Sequence, residues 1–166
     1  LVITLSPRAC ELSLLRSGAS GQTARCDAPA ILGQQAQDLM LKDSRKIAAI
    51  LAADIVGYSR LMGVDETGTL HALKVRRAIF DRLVKEFDGQ EFGSVGDSLM
   101  AQFPSAINAV RCAQAIQHAI AVENAPLAAD RHMALRIGVN LGDVIEENGA
   151  LFGNGVNIAA RLQALA

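Results

Sequence analysis

Asp54 closes a run of small and branched apolar residues within "AAILAADIVGYSRLM", residues 48–62. Asp97 follows Gly96 between two short apolar stretches, "QEFGSV" and "SLMAQF". Each carboxylate thus stands where a buried strand reaches a glycine-containing turn. Two acids brought together at one end of a sheet repel each other unless a cation sits between them. Hard oxygen donors favour Mg2+ or Mn2+, and Mg2+ keeps positions open for phosphate oxygens. The loop after Asp54 supplies the other half of a polyphosphate site. Gly57 permits close approach, and the backbone N–H groups of Val56, Gly57, Tyr58 and Ser59 open a helix, where an anion is favoured. Asn157 and Arg161 stand four apart near the end of the chain and project from one helix face. That spacing alone describes two solvated side chains on a surface helix better than a site.

The elements that must position these groups read in a clear order. "KIAAILAADIV" is a short apolar run ended by a charge and Gly57, as in a buried strand, although its alanines keep helix in contention. Leu70, Leu73, Phe80, Leu83, Val84 and Phe87 recur at helical spacing, with Arg76, Arg77, Asp81 and Lys85 between them. Asp88-Gly89 ends that helix, and Gly96-Asp97 joins two strands as a hairpin turn. Pro104 suits the first turn of a second long helix, whose expected stripe is Ile107, Val110, Ala113, Ile116 and Ile120. "MALRIGVNLGDVIEE" alternates as a strand, "NGALFGNG" reads as loop, and "VNIAARLQALA" as a final helix. Strand, helix, two strands, helix, strand and helix make the split βαβ, ferredoxin-like pattern of an α+β fold. In that layout the first strand lies beside the hairpin, so Asp54 and Asp97 meet at one end.

Composition narrows the classes. The 166 residues fit one domain with length left for a tail, and 51% of them are hydrophobic, enough for a packed core. A formal net charge of −1 without a basic block recommends neither nucleic acid nor an anionic membrane as partner. Cys10, Cys26 and Cys112 are widely spaced with no CxxC pair, which suits a reducing cytoplasm better than a disulfide framework or zinc site. No stretch approaches the roughly 20 apolar residues of a membrane span. Pro7, Arg8 and Glu11 interrupt the apolar start, against a signal peptide. Residues 1–43, rich in Gly, Ser and Ala without period, are expected to form a poorly ordered leader without chemistry. The structured domain is expected over 44–166. His71, His118 and His132 share no ligand spacing.

Taken together, "ADIVGYSRLM", "GSVGDSLMAQF" and "FGNGVNIAARL" resemble the class III adenylate/guanylate cyclase catalytic domain of bacterial type, in the family's order and spacing over residues 45–166. The resemblance implies two metal ions, Mg2+ or Mn2+, held by Asp54, the carbonyl of Ile55, and Asp97. It implies that Asn157 orients the ribose and that Arg161, a planar fork able to bond two phosphate oxygens, stabilises charge on the α-phosphate. It further implies ATP, or GTP, as substrate, and a head-to-tail homodimer in which one chain gives the aspartates and the other the Asn/Arg pair. Further strands carrying a phosphate-binding lysine would follow Ala166, and without them a sheet edge would lack its partner.

Two positions depart from the pattern. The family's base-reading side chains fall on Gly93 and Ala150, neither of which can tell adenine from guanine by a side-chain hydrogen bond. Glu91 is expected on the same strand face as Gly93. The main expectation is a cyclase making cyclic AMP in intracellular signalling. A non-catalytic homologue that binds nucleotide or a partner and regulates an attached module is the alternative. A diguanylate cyclase is disfavoured, because Val-Gly-Asp-Ser-Leu stands where its Gly-Gly-Asp/Glu-Glu-Phe hairpin would be.

Overall fold

The computed structural model describes residues 2–5, 44–147 and 149–166. Its elements are β1 (Val2–Leu5), β2 (Ser44–Ile55), α1 (Tyr58–Val64), α2 (Glu66–Glu86), β3 (Gln90–Val95), β4 (Ser98–Phe103), α3 (Ala106–Asn124), β5 (Leu135–Glu147), β6 (Ala150–Phe152) and α4 (Asn154–Leu165). One antiparallel sheet runs in the order β1-β5-β2-β4-β3, with β6 paired to β5 off that path. The chain is an α+β fold with the split βαβ layout. Within the segment expected to be a leader, Val2–Leu5 forms a strand along Ile137–Asn140 of β5. The remainder of that segment lies outside the described residues.

Period-two alternation along β2 decides where its acid goes. Ala49, Leu51, Ala53 and Ile55 point into the larger core, shared with Phe80, Leu83 and Val84 of α2 and with Ala109, Cys112, Ala113, Ile116 and Ile120 of α3. Ala48, Ile50 and Ala52 point to the opposite face, under Ala159 of α4 and Leu151 of β6. Asp54 continues the even series and therefore emerges on the α4 face. Alanine suits a central strand covered on both faces, because small side chains let helices approach from either side. Neighbours β4 and β5, rather than local propensity, make this segment a strand.

The helices depart from the expected stripes at their ends. Ile107 is 65% exposed, since it lies nine residues from Ile116, half a turn round the helix. Leu70 is also at solvent, whereas Thr69 and Arg76 are buried. Pro104 precedes the helix; Ser105 is the N-cap of α3 and its side chain accepts from the Asn108 N–H. Buried Arg76 donates to Asn124 Oδ1 at 3.0 Å. The same Asn124 side chain accepts from the Met133 N–H at 3.1 Å and donates to the Met133 carbonyl at 2.8 Å. One amide thus fixes where the chain enters β5, the strand that lies beside Asp54. The Cys112 thiol is fully buried, and burial, with Glu86 nearby, pushes its pKa up to about 12. It packs as a small apolar residue.

Candidate active site

Asp54 is the penultimate residue of β2, and Asp97 sits in the turn between β3 and β4, at the same end of the sheet. Their carboxylates are within hydrogen-bonding reach of one another. Burial first, and then the facing Asp54, raise the pKa of Asp97; the nearby backbone N–H groups of Asp97 itself and of Ile55 oppose that rise. The two acids expected to converge do so, and Ile55 lies between them in the chain. A pair of facing carboxylates with a neighbouring backbone carbonyl is a hard oxygen donor set that fits a divalent ion of the Mg2+ type. Among the described residues no cluster of three or more His, Cys, Asp and Glu side chains exists that could hold a metal, so such an ion here would draw on the two aspartates and backbone oxygen.

Arg136 of β5 stands directly across from Asp54 in the ladder and donates from Nη2 to Asp54 Oδ2 at 2.6 Å. Its side chain is 31% exposed and that of Asp54 21%, so the pair is only partly screened by water. A second donor comes from α4: Gln163 Nε2 reaches the same Oδ2 at 3.4 Å. Neither residue stood out in the sequence. The available signal for Arg136 was a lone cation in the alternating strand "LRIGV", on the face opposite Leu135 and Ile137.

The loop after Asp54 divides. The Val56 N–H donates to the Ala134 carbonyl at 2.9 Å and is not open to an anion. Gly57, at φ 69°, caps α1 in the left-handed region that favours glycine, and its carbonyl receives the Arg60 and Leu61 amides. The N–H groups of Gly57, Tyr58 and Ser59 have no acceptor among the described residues. Tyr58 packs against the main core below them.

Asn157 and Arg161 are both exposed on α4, while Gly155 and Ala159 turn to the sheet. Neither hydrogen-bonds Asp54 or Asp97 of its own chain among the described contacts. Glycines set this helix deep against β5. A Cβ at Gly138 would stand 2.5 Å from the Ala159 carbonyl oxygen and closer still to the Gln163 nitrogen. A Cβ at Gly155 would stand 2.9 Å from the Asp143 carbonyl.

On β3, on the same face of the sheet as α4, Gly93 has open space, with only the Met100 Cβ 4.0 Å from where its own Cβ would be. Ala150 is half-buried on β6, a three-residue strand inside the stretch expected to be loop. The expectation that Glu91 shares a face with Gly93 is overturned. The ladder pairs Glu91 with Ala101 and Gly93 with Met100, so Phe92 is an extra residue in a β-bulge. Ala101 belongs to the α2/α3 core, so Glu91 turns to that side, where it meets Asp81 and Arg77 of α2 and Ser94. Phe92 packs with the α4-side cluster instead.

Burial, then the charge and hydrogen bond of Asp81, raise the Glu91 pKa above its ordinary 4.5, with Arg77 and Ser94 pulling the other way. Asp81 Oδ1 is buried without a donor, which a proton on Glu91 can supply. The folded protein therefore holds that proton more tightly than the unfolded chain. This site's contribution is present below pH 4.5 and is lost as pH rises through the elevated value. Glu91→Gln, with a permanent donor, is expected to raise the thermal midpoint at neutral pH. Its advantage should vanish on acidification below about pH 4.5, as followed by thermal denaturation.

Residues 41–166 match the family model of the adenylate and guanylate cyclase catalytic domain. Over 130 residues, 76% of its length, the chain is 51% identical to "Putative adenylate cyclase 3" of Rhizobium meliloti (strain 1021), and it spans only 22% of that protein. The crystal structure of an adenylate/guanylate cyclase/hydrolase from Silicibacter pomeroyi is 41% identical and superposes with a TM-score of 0.70, covering 75% of this chain and 73% of that one. The adenylyl cyclase CyaB from P. aeruginosa shares the fold at 22% identity, with a TM-score of 0.66 over 75% of this chain and 74% of the other.

Proposed function

The chain belongs to the adenylate and guanylate cyclase catalytic-domain family, class III, and on that premise we propose that it converts ATP to 3′,5′-cyclic AMP and pyrophosphate at a site shared between two chains. The observation that carries this reading is the convergence of Asp54 and Asp97 at one sheet end, with Asn157 and Arg161 turned outward on α4. Outward side chains on a helix seated against the sheet serve a second copy better than their own acids. A head-to-tail pair of chains would bring each Asn157/Arg161 to the other chain's aspartates.

Divalent ions held by Asp54, Asp97 and the Ile55 carbonyl would lower the pKa of the ribose 3′-hydroxyl and neutralise the triphosphate. The chain's own groups supply orientation and charge. Asn157 holds the ribose so that its 3′-oxygen lines up with the α-phosphorus of the same molecule; both reacting groups are already joined, so alignment is the main entropic gain. The 3′-oxygen–phosphorus bond forms as the bond to the β-phosphate oxygen breaks, the hydroxyl proton leaves to solvent, and pyrophosphate departs. Arg161 faces the charge that builds on the α-phosphate. The Gly57, Tyr58 and Ser59 amides, in the loop that follows Asp54, would donate to the triphosphate. Arg136 offsets part of the Asp54 charge through its ion pair.

Gly93 and Ala150 favour a second reading, a domain that binds nucleotide without turnover or with little preference between purines. Product analysis of the protein with Mg2+ or Mn2+, offering ATP and GTP separately, tells these apart. Cyclic AMP from ATP supports the enzyme; nucleotide binding with no cyclic product from either purine supports the regulatory module. Mixing Asp54→Ala chains with Arg161→Ala chains tests the shared site, with about one competent site expected per mixed dimer.

A further inference from the structure

Two polar tethers fasten α4 to the sheet, one at each end. In the first turn the Gly155 carbonyl accepts from buried Asn140 Nδ2 of β5 at 3.0 Å. In the last turn Gln163 Nε2 donates to Asp54 Oδ2 at 3.4 Å. Towards its C-terminal half, from Ala159 to Gln163, the helix also rests on the bare backbone at Gly138, and it presents Asn157 and Arg161 outward. The helix that carries the Asn/Arg pair is therefore tied directly to an acid assigned to the metal.

We propose that Gln163 is a positioning residue that makes α4 sense whether Asp54 is engaged. The inference rests on the shared-site reading, and deepens it: Asp54 of a chain serves one site of the dimer, whereas Arg161 of that chain serves the other. A divalent ion that takes Asp54 through Oδ2, or across both carboxylate oxygens, needs a lone pair that Arg136 at 2.6 Å and Gln163 at 3.4 Å now use, because each carboxylate oxygen has two. The longer bond is the weaker, and is given up first. The last turn of α4 is then released while the Asn140–Gly155 bond holds the first turn. Arg161, two positions from Gln163, moves more than Asn157, two positions from Gly155. Filling one site alters the arginine offered to the other.

Hydrogen exchange on the full protein reads the tether without catalysis. Added Mg2+ is expected to raise exchange in the last turn of α4, around 161–165, and to leave the first turn unchanged. In Gln163→Leu that turn should exchange fast from the start and respond to Mg2+ little or not at all. Equal Mg2+ responses in both proteins, or none in either, overturn the proposal. A mixed dimer of Asp54→Ala and Arg161→Ala chains supplies the second measurement. Gln163→Leu in the Arg161→Ala chain, which gives Asp54 to the one competent site, should lower the Mg2+ concentration for half-maximal rate about threefold, by removing a competitor worth one modest hydrogen bond. The same change in the Asp54→Ala chain, where Gln163 has already lost its acceptor, should not shift it. A role confined to packing predicts the reverse, with the chain that supplies Arg161 the sensitive one, and would refute the tether. Should the parent mixture show no recovery, the shared site itself fails, and the exchange result alone decides on Gln163.

Discussion

Asp97→Ala is expected to lower the rate of nucleotide cyclisation by at least about a thousandfold, equivalent to roughly 4 kcal/mol of lost transition-state stabilisation, while making the metal-free protein more stable. Both effects come from one arrangement. Asp97 is half-buried at the hairpin turn, and burial together with the facing Asp54 raises its pKa above the ordinary 3.8. A raised carboxylate pKa means that the folded state binds the proton more tightly than the unfolded chain. Its favourable contribution is complete below pH 3.8 and disappears as pH climbs through the folded value. At neutral pH the metal-free fold therefore holds two facing acids at a cost, part of which Arg136 offsets on the Asp54 side. Removing the Asp97 charge relieves that cost and, on the proposed metal site, removes a donor in the same step. Thermal midpoints with and without Mg2+ check the pairing: the ion should stabilise the parent protein and leave the variant nearly unmoved. Retention of more than about a tenth of the parent rate, or an equal response to Mg2+, would contradict the metal assignment.

Gly138→Ala is expected to cost about 1–3 kcal/mol of stability through overpacking and to cut cyclase activity about a hundredfold, the usual scale for a displacement near 1 Å of a catalytic group. The new methyl would meet the Ala159 carbonyl oxygen at 2.5 Å, the Leu162 carbonyl carbon at 2.9 Å, and the Gln163 nitrogen more closely still. All three are backbone atoms of α4, so no side chain can turn aside to make room. The helix must lift, and Arg161 lifts with it. Gly138 has no unusual backbone angle to defend; space alone forbids the methyl. Gly63 on α1 is the matched control, since nothing lies within 4 Å of its added Cβ. Alanine there should be neutral or gain up to about 1 kcal/mol of helix propensity. Denaturant melts of both variants, with their rates, decide the point. A Gly138→Ala protein as active as the parent would mean that α4 does not need its present depth.

The parts of this fold that were legible in the sequence are those written within a single element. The apolar run of "KIAAILAADIV", ended by a charge and Gly57, announced a buried strand with helix still in contention, and the element order already brought Asp54 to the hairpin end of the sheet. Both strands of the hairpin and its Gly96-Asp97 turn were readable to the residue. What escaped depends on pairing between distant segments. Arg136 meets Asp54 across 82 positions of chain and Gln163 across 109, and no local pattern records either. Three-residue β6 was hidden in a glycine-rich stretch because a strand that short has no period to detect. Glu91 was misplaced because alternation counts residues evenly, and the bulge at Phe92 breaks the count.

That bulge has a consequence for how the chain tolerates insertion and loss. Gln90 and Glu91 pair with Gln102 and Ala101, and Gly93, Ser94 and Val95 pair with Met100, Leu99 and Ser98. Deleting Phe92 would leave these partners in unbroken sequence, with no residue changing its neighbour. One codon can thus add or remove an aromatic wall beside Gly93 while the rest of the hairpin keeps its register, which makes this point of the sheet a natural place for related genes to differ in length.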